Sequence, residues 1–355
     1  MSLKPSTLQS GATRLRDDLD HVLQHTASLW EELRGGRLFI TGGTGFFGTW
    51  LLESFVLAND RLSLGAQATV LTRDPAAFAR KAPRLAAHVA LNFVQGDVRD
   101  FAFPPGTFSH VIHAATDASA KLNDENPLLM FDTVLSGTRR VLDFTAQCGA
   151  QKFLLTSSGA VYGAQPGDLT HVPETYRGAP DPLDPRSAYG VGKRAAEHLC
   201  TLYGKQHGFE PKIARCFAFV GPGLPLDTHF AIGNFIRDAL AGGPIRVSGD
   251  GTPYRSYLYA TDLTIWLWTI LFKGAPFRAY NVGSARDLTI AQLARTVAEQ
   301  LSVKSGVQIA KQPIPGASPS RYVPEVARAT TELGLKETVS LEEGIKRTAA
   351  SAVRD

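Results

Sequence analysis

The chain has 355 residues, 44% of them hydrophobic and 20% charged, with a formal net charge of +4. That composition suits a globular protein of one large domain or two modest ones. Its Lys and Arg residues are scattered, which argues against a nucleic-acid surface, and its three cysteines lack CxxC spacing, which excludes a zinc site or a disulfide framework.

Residues 1–36 read as an N-terminal helical extension. The N-terminus carries no apolar signal-peptide core, so a cytoplasmic protein is expected. Leu15, Leu19, Val22, Leu23, Leu29, Trp30 and Leu33 recur at helical intervals, predicting a helix packed on the main body, with a partner-binding helix as the other reading. "RLFIT" is a predicted strand, followed by "GGTGFFG" and a helix through about Ala58. "ATVLT", "LNFVQGD", "HVIHAA" and "KFLLTSS" are further strands separated by helical or loop material, "KIARCFAFVG" another, and "AYNVG" closes the sheet. "LTIWLWTILF" is the most apolar run and is too short to cross a bilayer, so no membrane partner is expected. The alternation predicts an α/β fold, a Rossmann-type doubly wound parallel sheet, with a smaller C-terminal substrate-binding lobe. The sheet domain is assigned to residues 37–217, with 257–285 returning to it; 218–256 and 286–355 form the lobe. Two Pro- and Gly-rich loops, 163–188 and 221–233, read as lids or substrate loops.

Four glycines fall within the seven positions 42–48. Gly43, Gly45 and Gly48 fit GxGxxG, and Gly42, Gly45 and Gly48 fit GxxGxxG. A predicted strand precedes them and an amphipathic helix follows, which turns the pattern into a dinucleotide cradle. The bland alternative is a tight strand-to-helix turn. Gly42, Gly45, Phe46, Phe47 and Gly48 are therefore assigned to the cofactor. The second strand ends Thr72-Arg73-Asp74, where an acidic residue would select NAD and an arginine NADP. Arg73 tilts toward NADP, Asp74 reaches a ribose only if the loop bends, and both cofactors stay open. Asp97 and Val98 follow the third strand, on the adenine side, with a capping role as the alternative for Asp97. Ala114 and Ala115 follow the fourth, where small residues permit close approach.

Tyr189 and Lys193 are four residues apart and so share one helix face. A phenol titrates near 10, but a cation about 4 Å away is worth roughly three pKa units at an effective dielectric near 20. Ser158, at the end of the preceding strand, can hydrogen-bond the reacting oxygen. Ser158, Tyr189 and Lys193 converging above a nicotinamide would perform hydride transfer with general acid–base help.

With "TGGTGFFG", "GDV", "HAA", "SSGAVYG", "YGVGK", "GDGTPYRSYLYATD" and "LGL…SLEEGI" in this order across most of residues 37–346, the chain resembles the extended short-chain dehydrogenase/reductase family, the NAD(P)-dependent nucleotide-sugar epimerases and dehydratases. The resemblance implies Tyr189 as catalytic acid or base, Lys193 as the residue that lowers its pKa and holds the ribose, and Ser158 as orienting the substrate oxygen. Arg255 is implied to bind the diphosphate of a nucleotide sugar, with Arg321 a second candidate, and Thr116 is assigned to the substrate. A homodimer through two helices, one beginning near Pro127 and one bearing Tyr189, is also implied. There are departures. The family's dehydratases carry Asp-Glu immediately after the Ser158 position, and its decarboxylases a glutamate two places after it; this chain has Gly159 and Ala160. Two family asparagines become Val134 and Ala218.

The expected function is hydride transfer at sugar C4 by an epimerase or a 4-ketoreductase. The alternatives are a dehydratase or decarboxylase with a displaced acid or base, such as Asp117 or Glu174, and a non-catalytic dinucleotide sensor.

Overall fold

A computed structural model describes residues 11–115, 120–228 and 230–353. In the first half, α1 (Gly11–Thr26) precedes β1 (Arg37–Thr41), α2 (Phe46–Arg61), β2 (Gln67–Thr72), α3 (Pro75–Lys81), α4 (Pro83–Ala86) and β3 (Leu91–Gln95). Then come β4 (His110–His113), α5 (Ala120–Glu125), α6 (Pro127–Cys148), β5 (Lys152–Ser158), α7 (Ala188–His207) and β6 (Glu210–Cys216). Short elements follow: β7 (Phe219–Val220), α8 (Ala231–Leu240), β8 (Ile245–Val247), β9 (Tyr254–Arg255) and β10 (Leu258–Tyr259). The chain ends through α9 (Ala260–Lys273), β11 (Arg278–Val282), β12 (Leu288–Thr289), α10 (Ile290–Gln300), β13 (Val307–Ile309), β14 (Arg321–Tyr322), α11 (Ala327–Leu333) and α12 (Leu341–Ala352).

Seven strands pair in parallel in the order β11-β6-β5-β4-β1-β2-β3. Strands buried on both faces carry near-continuous apolar runs, as "FLL" in β5 and "LFI" in β1 do, because helices cover both sides. The order reverses between β1 and β4. Such a switch point opens a crevice at the carboxyl ends of the strands, and the glycine turn lies on it.

Two sequence expectations are refined. "KIARCFAFVG" is not one strand: β6 stops at Cys216 and β7 pairs with β10 in a separate two-stranded sheet. At the break, Phe217 donates its N–H to Val282 in β11 while Leu258 donates to Ala218, so the chain changes partner within two residues. The N-terminal helix also stops early, and residues 27–33 tighten into a 3₁₀ turn. That turn drives Trp30, fully buried, against Trp268 at 4.6 Å between ring centroids. α9 contains the most apolar run and is buried at every position from Ala260 to Phe272, which explains a helix with no polar face.

The smaller sheet β12-β9-β14 meets the end of β5 through Tyr322, whose hydroxyl lies 3.3 Å from Ser158 Oγ. It carries Arg255 in β9 and Tyr322 in β14, paired residue to residue. No helix among the described residues is long and apolar enough to cross a membrane.

Candidate active site

The cradle is built by close packing that only glycine permits. Gly42 has φ +72°, and a Cβ there would stand 2.4 Å from the Ala114 carbonyl; at Gly48 it would stand 2.2 Å from the Gly42 oxygen. Gly45 sits at the N-cap of α2 with no side chain over the helix end. The N–H groups of a 16-residue helix, including those of the first-turn Phe46, Phe47 and Gly48, thus open on the switch point. The rings of Phe46 and Phe47 turn inward, Phe47 meeting Phe219 edge-on at 5.0 Å. Thr41 Oγ1 accepts the Ala115 N–H at 3.1 Å and lies 2.7 Å from His113 Nδ1, which fixes the β4 end that faces the glycines. Burial pushes His113 down to about 3, so it is neutral. These residues fit a dinucleotide pyrophosphate.

At the adenosine end, Asp74 is occupied: it N-caps α3 by accepting the Ala77 N–H at 2.8 Å. Arg73 is exposed. Asp97 is chelated by Arg99, a residue the motif reading missed, with contacts of 2.8 and 3.1 Å. Arg99 holds the Asp97 carboxyl below its ordinary range, so it is ionised. Val98 is buried against Gly137 of α6.

Ser158 ends β5, and Tyr189 and Lys193 stand in the first turns of α7. Asn123 of α5 accepts the Tyr189 N–H at 3.0 Å and anchors the helix start. Burial pushes the Tyr189 phenol well above its ordinary value, and the Ser158 hydroxyl pulls it partly back. Lys193, one turn further along α7, is held from behind by the strand. The lysine donates to the Thr156 carbonyl at 2.7 Å, and its nitrogen lies 5.9 Å from the centre of the tyrosine ring. Burial lowers Lys193 itself to about 8. The lysine is thereby fixed to the end of β5, beside the tyrosine ring.

Glu174 is engaged within the fold. One of its carboxyl oxygens accepts the Asn281 N–H at 2.9 Å and the other lies 3.8 Å from Arg328. These contacts tie Glu174 to β11 and α11. Asp117 and Thr116 lie outside the described residues.

The two arginines differ. Arg321 pairs with Asp287 at 2.9 Å and stacks over Tyr254 at 3.9 Å, so its charge is already matched within the chain. Arg255 hydrogen-bonds the Tyr254 carbonyl at 2.7 Å and lies 6.0 Å from the Tyr322 ring. Burial lowers its pKa.

Two features escaped the motifs. Tyr322 brings its hydroxyl within 3.3 Å of Ser158 Oγ. Behind the serine runs a buried network: Ser157 donates to Glu197 at 2.6 Å, Arg215 to Glu197 at 2.6 Å and to Tyr162 at 2.9 Å, and Tyr162 to Asn281 at 2.7 Å. No fixed spacing marks it, because its members come from β5, the turn after β5, α7, β6 and β11. Tyr322 carries only a weak signal, its place beside Arg321.

A glycine cradle at the switch point, with a hydroxyl, a phenol and an amine at the facing strand and helix ends, is the layout of an enzyme that works with a bound dinucleotide. The comparisons agree. A model of the NAD-dependent epimerase/dehydratase family matches residues 38–283, and the chain belongs to that family. Its cofactor is accordingly a nicotinamide adenine dinucleotide. UDP-glucuronic acid decarboxylase 6 of Arabidopsis thaliana is 31% identical over 312 residues, 87% of this chain and 86% of that protein. The UDP-glucose 4-epimerase of Thermus thermophilus, solved with NAD, superposes with a TM-score of 0.72 at 28% identity, covering 90% of this chain and 99% of that one. A double mutant of the dTDP-glucose 4,6-dehydratase DesIV from Streptomyces venezuelae superposes with a TM-score of 0.75 at 25% identity, covering 90% and 97%.

Proposed function

We propose that the protein modifies a nucleotide sugar by hydride transfer at C4, as an epimerase or a 4-ketoreductase. The observation that carries this reading is the chemistry around Ser158. Gly159 and Ala160 follow it, Glu174 is committed elsewhere, and among the described residues the groups that meet its side chain are Tyr189, Tyr322 and the Ala160 N–H. Hydroxyls can move a proton on and off one oxygen. Elimination of water needs a further acid and base.

When bound, the nicotinamide accepts and gives back the hydride. The chain's own residues do the rest. Tyr189 takes the proton of the C4 hydroxyl as the alcohol is oxidised and returns it as the ketone is reduced, and Ser158 donates a hydrogen bond to the same oxygen. Lys193 brings a positive charge beneath the phenol, which favours the phenolate. The α2 N-terminus holds the cofactor pyrophosphate, and Arg255 pairs with the sugar-nucleotide diphosphate. In an epimerase the ketone then presents its other face before Tyr189 gives the proton back; in a reductase the ketone is the substrate. Exposed Arg73 beside a capping Asp74 favours NADP over NAD. A homodimer through α6 and α7 is supported by their exposed Leu128 and Leu202, 76% and 50% accessible.

A second reading, decarboxylation of a UDP-uronate, is favoured by the named relatives at about a third identity. The experiment is a panel of UDP-, dTDP-, CDP- and GDP-sugars, UDP-glucuronate included, incubated with and without NADPH. Conversion to a product of unchanged mass without net cofactor use indicates epimerisation, and stoichiometric NADPH loss indicates reduction. Release of CO₂ from UDP-glucuronate would replace the first reading with the second.

A further inference from the structure

A serine hydroxyl has one proton to give and two lone pairs to fill. At Ser158 the Ala160 N–H fills one lone pair at 3.1 Å. The Tyr322 hydroxyl stands 3.3 Å from the same oxygen, and Tyr189 is the third neighbour. We propose that Tyr322 is a positioning residue: its O–H fills the second lone pair of Ser158 and thereby aims the one serine proton toward Tyr189, at the Tyr189 oxygen in the free site and at the sugar oxygen beside it once substrate is bound. The proposal rests on the reading of Ser158 and Tyr189 given above.

The placement of Tyr322 is well determined. β14 pairs with β9, setting Tyr322 opposite Arg255. The segment is tied down by Val172 N–H to the Val323 carbonyl at 2.9 Å and by Val323 N–H to Gln165 at 3.1 Å. Its ring packs on Phe217 at 4.7 Å. Gly159 makes the approach possible, because a Cβ there would stand 2.9 Å from the Tyr322 hydroxyl and 2.7 Å from the Phe217 ring.

One competing arrangement exists. Tyr322 can instead give its proton to the Cys216 carbonyl, 3.4 Å away, leaving Ser158 to donate to Tyr322 and turn away from Tyr189. The two bonds open to Tyr322 are both neutral and of nearly equal length, 3.3 and 3.4 Å, so the choice falls to what the serine proton gains. A serine donating to an ionising Tyr189 makes a charge-assisted bond, roughly twice as strong, so the first arrangement prevails as Tyr189 gives up its proton. The two make opposite predictions. Removing the Tyr322 hydroxyl harms the reaction in the first and releases the serine in the second.

The titratable groups facing this row are Lys193 from α7, Cys216 from β6 and Arg255 from β9. None is altered by the variants that follow. The experiment is a double-mutant cycle of Tyr322→Phe and Ser158→Ala, read by pH–rate profiles on the sugar found in the panel. Tyr322→Phe is expected to lower kcat about five- to tenfold, with KM within about twofold, and to move the Tyr189 limb to higher pH, since one lost hydrogen bond is worth about that factor. In the Ser158→Ala background it is expected to add nothing. Gly159→Ala, which displaces the Tyr322 hydroxyl without removing it, should move the limb the same way. An unchanged or raised kcat, or an equal loss in both backgrounds, overturns the proposal. A second readout needs no substrate: phenolate absorbance of the cofactor-free and NAD-loaded protein is titrated for each variant against its Tyr189→Phe counterpart. If no sugar is turned over, the functional reading falls and this titration decides alone. Ionisation of Tyr189 at higher pH in Tyr322→Phe, with no such move in the Ser158→Ala background, upholds the positioning role. The same onset in wild type and Tyr322→Phe overturns it.

Discussion

Tyr189 is the residue on which the proposed chemistry turns. Its phenol is raised by burial, steadied by Ser158, and set by a helix whose start is pinned by Asn123. Replacing it with Phe removes one hydroxyl and no packing, so the fold and the cradle should survive. We expect turnover to fall at least a hundredfold, the usual scale of general acid–base help, while NAD affinity, measured by quenching of protein fluorescence, stays within about twofold. A fall confined to cofactor affinity would move Tyr189 out of the chemistry. At this scale the sequence was partly legible. Motif spacing pointed to Ser158, Tyr189 and Lys193 because each is tied to a short local segment. It gave no sign that Lys193 bonds the Thr156 carbonyl, that Arg99 chelates Asp97, or that Arg321 is matched by Asp287. Those pairings depend on side-chain direction, and the last on a partner 34 residues away.

Between elements, the buried Glu197–Arg215 pair links α7 to β6 directly beneath Ser157. Both side chains are well shielded, 9% and 16% exposed. Deleting one partner leaves the other charge buried and unmatched, which costs about 3–5 kcal/mol. Glu197→Ala is therefore expected to lower unfolding free energy by about that amount in urea denaturation. A loss below about 1 kcal/mol would mean that the pair is solvated. The elements themselves were largely readable, since parallel strands announce themselves as short apolar runs between helical patterns. The exception, β6 breaking at Cys216, was not readable. Both halves of "KIARCFAFVG" are equally strand-like, and the break is dictated by distant partners, Val282 on one side and Leu258 on the other.

Over the whole molecule, the N-terminal extension is welded to the body. Asp18 accepts from Tyr259 at 2.6 Å and pairs with Arg347 of α12. Glu32 pairs with Lys152 at 2.6 Å and with His110 at 3.0 Å, at the amino ends of β5 and β4. Burial raises the Glu32 carboxyl, but Lys152 and His110 outweigh it and hold it below 4.5. A carboxyl with a depressed folded-state pKa adds stability above its unfolded pKa and loses it as pH falls through the folded value. The Tm gap between wild type and Glu32→Gln should thus be present at neutral pH and close as pH is lowered below about 4.5. A gap that is constant with pH would show that the charge contributes nothing. The helical periodicity of the extension was visible in the sequence, and its apolar face does pack on the body through Trp30. Its polar contacts were not visible, because Asp18 and Arg347 are 329 residues apart.

The proposed chemistry depends on hydride leaving and reaching sugar C4. Its most direct test is to follow deuterium placed at C4 of the nucleotide sugar turned over in the panel. We predict a primary isotope effect on turnover, with the label retained at C4 of an epimerised product or recovered on the nicotinamide when a reductase is run in the oxidative direction. Product formed with no isotope effect and no passage of label through the cofactor would contradict it.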